Sequence, residues 1–181
     1  MASQAQHEKT VGVYGGKFYP FHRGHLSFVL KAATMVDILY VVVQYDEEHE
    51  RSLLVEGSEF AWIAPETRED WIRETLESYP NIRALSSYEH RSEAYMDDPV
   101  VTQGYIELTK AVGGHIDVIF SNTHDYDAYF SKYLPDSKHV VFYEARDIVD
   151  ISATQIRNEG VEKNWEFLPP AVQRYYQRAT A

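Results

Sequence analysis

The chain has 181 residues, 44% of them hydrophobic and 14% aromatic, with no cysteine and a formal net charge of −11. That size allows one ordinary hydrophobic core, while the lack of cysteine excludes disulfides, thiolate metal sites and a cysteine nucleophile. The acidity argues against a generic nucleic-acid binder, which needs a basic face, and no apolar run approaches the length of a membrane span.

Residues 1–9 lack the apolar core of a signal peptide and are expected to form a flexible tail before one domain over 10–181, in the cytoplasm. Residues 11–14 read as a first strand. Leu26, Val29, Ala33 and Val36 then recur at helical spacing. The near-continuous apolar run 38–43 suits a strand covered on both faces of a parallel sheet. After a polar stretch over 44–64, Pro65 opens a helix whose face is Trp71, Ile72, Leu76 and Tyr79. A weaker strand follows at 82–85, then a charged segment without period at 87–99. A helix is expected over 100–112, stopped by Gly113 and Gly114, and a fourth strand over 116–120. A short helix over 125–134 and a fifth strand over 140–143 precede a helical remainder broken at Gly160 and at Pro169 with Pro170. Strand and helix alternate throughout. The expected fold is α/β, a Rossmann-like open parallel sheet of about five strands with helices on both faces.

In such a sheet, ligands bind at the carboxyl ends of strands where the strand order reverses. The first strand runs straight into Gly15-Gly16-Lys17-Phe18-Tyr19-Pro20-Phe21-His22-Arg23-Gly24-His25, which opens the first helix. A helix start carries unpaired N–H groups and the positive end of the macrodipole, and so favours an anion. His22 and His25 can both reach one phosphate chain, and Gly24 would let a nucleotide approach the backbone. Lys17, Arg23 and Arg157 are the cations that could offset the acidity locally. Neither Gly-x-Gly-x-x-Gly nor the P-loop pattern is present, which excludes an ordinary dinucleotide-binding dehydrogenase and a P-loop kinase. A second helix start follows the fifth strand at Ile151-Ser152-Ala153-Thr154-Gln155-Ile156-Arg157, with Ser152 as N-cap and Thr154 and Arg157 on one face. The other histidines, His7, His49, His90, His115, His124 and His139, show no paired metal spacing, so neither zinc nor haem is expected.

Together, His-x-Gly-His after strand one and Ile-Ser-x-Thr-x-x-Arg near the C-terminus resemble the nucleotidyltransferase α-phosphodiesterase superfamily. The run Gly16 to His25 is similar to the Gly-Lys-Phe-Tyr-Pro-x-His-x-Gly-His of NadR-type nicotinamide-mononucleotide adenylyltransferases. Gln44-Tyr45-Asp46 with Arg51, Asn81-Ile82-Arg83, and Asn164-Trp165-Glu166 with Pro169 extend the likeness over 10–178. The resemblance implies transfer of AMP from ATP to nicotinamide mononucleotide, giving NAD and pyrophosphate. It implies Lys17, His22, His25 and Arg157 as the catalytic set, with Gly15, Gly16, Phe18, Gly24, Ser152 and Thr154 binding ATP. Mg²⁺ would come with the ATP phosphates and need no protein cage. Tyr19, Tyr45, Tyr95 and Asp98 are the candidate acceptor contacts. The family's tryptophans before the third helix are replaced here by Tyr95-Met96-Asp97-Asp98-Pro99, leaving Tyr95 or Trp62 to stack on the pyridine. At this length the chain is expected to carry neither the kinase domain nor the helix-turn-helix of the longer family members, and so neither of their activities. ATP and nicotinamide mononucleotide are the expected partners, without nucleic acid or membrane, and a symmetric homo-oligomer is open. Two other readings stand: another acceptor, such as nicotinate mononucleotide or phosphopantetheine, or a nucleotide-sensing module without catalysis.

Overall fold

The structure, a computed structural model, describes residues 8–54, 56, 60–89, 99–142 and 149–179. Five parallel strands carry it: β1 (Val11–Gly16), β2 (Ile38–Tyr45), β3 (Ile82–Tyr88), β4 (Val118–Ser121) and β5 (Lys138–Val141), in the order β3-β2-β1-β4-β5. The helices are α1 (Arg23–Ala33), α2 (Glu47–Ser52), α3 (Pro65–Thr75), α4 (Pro99–Ala111), α5 (Asp127–Tyr133), α6 (Ala153–Glu159) and α7 (Pro170–Ala179), with short 3₁₀ turns at His124–Tyr126 and Trp165–Phe167. The expected Rossmann-like open sheet is the observed one. From β1 the chain builds outward to β2 and β3, then returns to lay β4 on the other side of β1, so the order reverses at the β1/β4 edge.

Period-two alternation divides the core. Val11 and Val13 of β1 face one way with Val42, Leu108, Val112 and Ile119. On the other side Val41 and Val43 of β2 pack with Phe28 and Val29 of α1, Trp71 and Ile72 of α3, and Ile156 of α6. This is why the 38–43 run is apolar at every position. Gly12 sits where β1 passes closest to its neighbours: a Cβ there would lie 2.8 Å from the Phe120 ring.

Several expectations shift: the first strand runs on to Gly16, and the fourth spans Val118–Ser121 rather than 116–120. The third strand continues to Tyr88 because Ser86 and Ser87 pair with Val43 and Gln44 of β2. As an edge strand it tolerates these polar side chains, which hid it from the pattern. The fifth strand is an edge too, and runs over Lys138–Val141 rather than 140–143; residue 143 lies outside the described residues. The polar stretch after β2 holds α2, capped by Asp46, whose Oδ1 accepts from His49 N at 3.1 Å. With three acids in its first turn it gains from the helix dipole, and its one buried residue is Glu50, so no apolar period marks it.

Candidate active site

At the start of α1 two histidines cap the helix. His22 is the N-cap, and its Nδ1 accepts from Gly24 N at 3.1 Å and His25 N at 3.3 Å; His25 Nδ1 accepts in turn from His22 N at 3.3 Å. This is a capping box in which imidazoles replace the usual hydroxyl and carboxylate. The rings stack with centroids 3.6 Å apart and 19° between planes. Burial pulls the His22 pKa down to about 4, and burial together with neighbouring His22 holds His25 well below the ordinary imidazole range. Both rings are therefore neutral near pH 7. Since each Nδ1 accepts from the backbone, each proton sits on Nε2, which leaves two N–H donors side by side.

Gly24 makes this cap fit. A Cβ there would lie 2.9 Å from His22 Cε1 and 3.5 Å from Ile151 Cγ2. The glycine thus makes room for the His22 ring, while Ile151, in the segment entering α6, stands at ordinary contact distance. That segment closes the other side of a cleft of about 550 Å³, where His22 and His25 face Ser152, Ala153 and Thr154. Ser152 spends its Oγ on the N-cap, accepting from Gln155 N at 3.1 Å. Arg157 donates from Nη1 to Tyr19 O at 2.7 Å and from Nη2 to Thr154 Oγ at 3.1 Å, and burial lowers its pKa. The two helix starts singled out in the sequence, far apart in the chain, therefore meet in one cleft and are tied together by this arginine.

A second cavity of about 320 Å³ lies beside the first, at the carboxyl ends of β1, β3 and β4, with Tyr14 and Asn122 bordering both. Gly15, Gly16 and Lys17 border this cavity, not the histidine cleft. Lys17 Nζ is 3.1 Å from Glu89 Oε2. Tyr105, Tyr126, Tyr129 and Phe130 supply an aromatic wall.

Several sequence candidates stand elsewhere than expected. Phe18 is buried at φ 48° with its ring edge-on to His25 at 5.0 Å, so its side chain packs beneath that imidazole and is not open to a ligand. Tyr19 is fully buried, with the guanidinium carbons of Arg68 and Arg157 5.3 and 5.4 Å from its ring centre. It braces the loop and cannot touch an acceptor. Tyr45 packs edge-on against Tyr88 at 5.7 Å, and it is Tyr88 that borders the second cavity. Trp62 donates from Nε1 to Glu50 Oε2 at 2.9 Å and packs under Arg51, so it is no stacking platform. Tyr95 and Asp98 lie outside the described residues.

One pair went unseen in the sequence. Arg68 and Glu50 form a fully buried bidentate ion pair at 2.8 and 2.9 Å, and Arg68 Nη1 also donates to Lys17 O at 2.8 Å. It buttresses the glycine-rich loop from behind as Arg157 does from the front. The signal was an arginine on the apolar stripe of α3, three residues before Trp71 and four before Ile72.

Residues 13–159 match the cytidylyltransferase-like family model. The chain belongs to the cytidylyltransferase-like family. It is 27% identical over 175 residues to the trifunctional NAD biosynthesis/regulator protein NadR of Escherichia coli K12, covering 96% of this chain and 42% of that protein. It is 22% identical over 148 residues to the phosphopantetheine adenylyltransferase of Streptococcus uberis, 81% of this chain and 79% of that one. The chain thus spans less than half of the NadR it matches. Among solved structures, NadR in complex with NAD and AMP-PNP superposes with a TM-score of 0.63 at 23% identity, covering 91% of this chain and 46% of that one. A bifunctional NMN adenylyltransferase/ADP ribose pyrophosphatase from Francisella tularensis gives 0.58 at 17% identity, covering 84% and 42%. The NadR-type resemblance read from the motifs is borne out, and this cytidylyltransferase-like chain is of nucleotidyltransferase type. Among the described residues no helix is long and apolar enough to cross a membrane.

Proposed function

We propose that this chain is an adenylyltransferase that moves AMP from ATP to nicotinamide mononucleotide, producing NAD and pyrophosphate. The observation that carries the reading is the pair of neutral Nε2–H donors of His22 and His25, set in a cleft that adjoins an aromatic cavity. ATP takes the cleft with its phosphates against the histidines and the Ser152–Thr154 segment; the acceptor takes the aromatic cavity. A flat cationic pyridine ring suits tyrosine faces, and Glu89 adds a negative charge nearby.

The chemistry asks for alignment and charge neutralisation. An acceptor phosphate oxygen attacks the α-phosphorus, the new P–O bond forms in line, and the bond to the β-phosphate oxygen breaks as pyrophosphate leaves. The attacking oxygen is already anionic, so no general base is needed. His25 Nε2–H stabilises charge on the α-phosphate and His22 assists, while Thr154 and Arg157 hold the outer phosphates. Lys17 exchanges Glu89 for a phosphate oxygen. On this reading Mg²⁺ would travel with the triphosphate, whose charge it would help to neutralise. A cytoplasmic setting, where ATP is held, belongs to the same reading.

The test is pyrophosphate release from MgATP with a panel of nicotinamide mononucleotide, nicotinate mononucleotide and phosphopantetheine. The reading expects the first to give the highest kcat/KM. Preference for phosphopantetheine, the acceptor suggested by the Streptococcus relative, would replace it, and binding without turnover would leave a nucleotide sensor.

A further inference from the structure

Beyond the two helix starts, the C-terminal end of β4 carries a hydrogen-bonded chain that the proposed reaction does not use. Ser121 Oγ is 2.6 Å from His139 Nε2, and His139 Nδ1 is 2.6 Å from Asp127 Oδ1. His124 Nδ1 reaches the same carboxylate at 3.0 Å. The chain thus bridges β4, β5 and the start of α5.

Serine, histidine and aspartate in this order suggest an activated nucleophile, but the rest of the geometry speaks against it. Ser121 is buried, its Oγ donates to Thr123 O at 3.0 Å, and it accepts from Thr123 N at 3.4 Å. The Ser121 hydroxyl hydrogen goes to the Thr123 carbonyl, and its oxygen also lies within hydrogen-bond distance of His139 Nε2. The hydroxyl is then spent on the backbone. Its effect is to fix the turn through residue 122 from both sides.

Asn122 is the residue so held. It is exposed, it borders both cavities, and its carboxamide makes no hydrogen bond within the described residues. It stands at the seam where, on the functional reading above, the acceptor phosphate must meet the α-phosphate. The His139 ring also packs edge-on to Phe130, part of the acceptor wall, at 4.8 Å. We propose that Asn122 contacts the acceptor at the junction of the two cavities, and that Ser121, His139 and Asp127 are positioning residues that hold it there.

This inference rests on the adenylyltransferase reading, and its test separates the two. Calorimetry would measure nicotinamide mononucleotide binding to the full chain saturated with Mg²⁺ and AMP-PNP, so that turnover is not required. Asn122→Ala should weaken the acceptor about tenfold, as loss of one hydrogen bond to a charged group does, with AMP-PNP affinity within about twofold of wild type. His139→Ala should lose about as much, and His139→Gln, which can still reach Ser121, should recover most of it. Asp127→Ala, at a half-exposed position, covers the case in which the His139 variants fail to fold. The double variant Asn122→Ala/His139→Ala should bind no more weakly than either single one, because the second change acts through the first. Additive losses, unchanged acceptor affinity in Asn122→Ala, or labelling of Ser121 by a fluorophosphonate would overturn the proposal. A wild-type chain that binds the mononucleotide with AMP-PNP yet never forms NAD from ATP would sink the functional reading and leave this one standing.

Discussion

Arg157 donates to the carbonyl of Tyr19 across 138 positions of sequence, and this 2.7 Å bond joins the segment entering α6 to the loop that presents the histidines. The arginine therefore shapes the cleft through contacts within the fold alone. Arg157→Ala should raise the KM for ATP more than that for the acceptor, by about tenfold or above, as expected when a hydrogen bond to a charged group is lost together with the loop it anchors. Arg157→Lys should recover little, since an ammonium cannot span Tyr19 and Thr154 with a planar fork. Steady-state kinetics with each substrate varied in turn would check the ranking.

His25→Ala should lower kcat by about two to three orders of magnitude, the usual loss for one donor aimed at developing charge. The Nδ1 cap contact on His22 N goes with it, costing about 1 kcal/mol of stability at the helix start. Quenched-flow measurement of NAD formation, alongside thermal unfolding, would separate the two effects.

Acid should destabilise the fold through the same rings. A histidine whose folded pKa lies below its unfolded value contributes stability that is complete above the unfolded pKa and is lost as pH falls toward the folded one. For His22 that window runs from 6.5 down to about 4, and His25 shifts in the same direction. The gap for His22 alone corresponds to about 3 kcal/mol. The melting temperature should therefore fall between pH 6.5 and 4, and the fall should be shallower in His22→Asn. An equally steep fall in that variant would remove His22 as its source.

The Arg68 and Glu50 pair invites a different experiment. Removing one partner leaves a buried charge uncompensated, so Glu50→Gln or Arg68→Met should cost about 3 to 5 kcal/mol in urea unfolding. The double change Glu50→Leu/Arg68→Met should regain much of that stability. It should not regain ATP affinity, because no donor remains for the Lys17 carbonyl.

Much of this was readable in the chain itself, for definite reasons. The run 38–43 and the stripe of α3 announce themselves through burial, and the two helix starts announce themselves through capping chemistry. Other features depend on distant contacts that local pattern does not carry. Glu50 sits in a polar helix with no apolar period, and its partner lies 18 residues on. Tyr19 is a candidate acceptor contact by its place in the motif, yet two guanidiniums and Phe60 enclose it. Lys17 belongs to the histidine motif in sequence, but β1 runs on to Gly16 and delivers the lysine to the neighbouring cavity. Gly24 lines the cleft, as its place in the motif suggests, but its close contact with the His22 ring depends on the cap geometry, which no local pattern shows.

The histidine cap has a consequence for anyone who would re-engineer this chain. Since each imidazole anchors the first turn through Nδ1 and also lines the cleft, the firmness of the helix start and the chemistry proposed for that cleft rest on the same two side chains. A library that randomises these positions for new chemistry will at the same time be sampling how firmly α1 begins, and its hits will need compensating changes elsewhere on that helix.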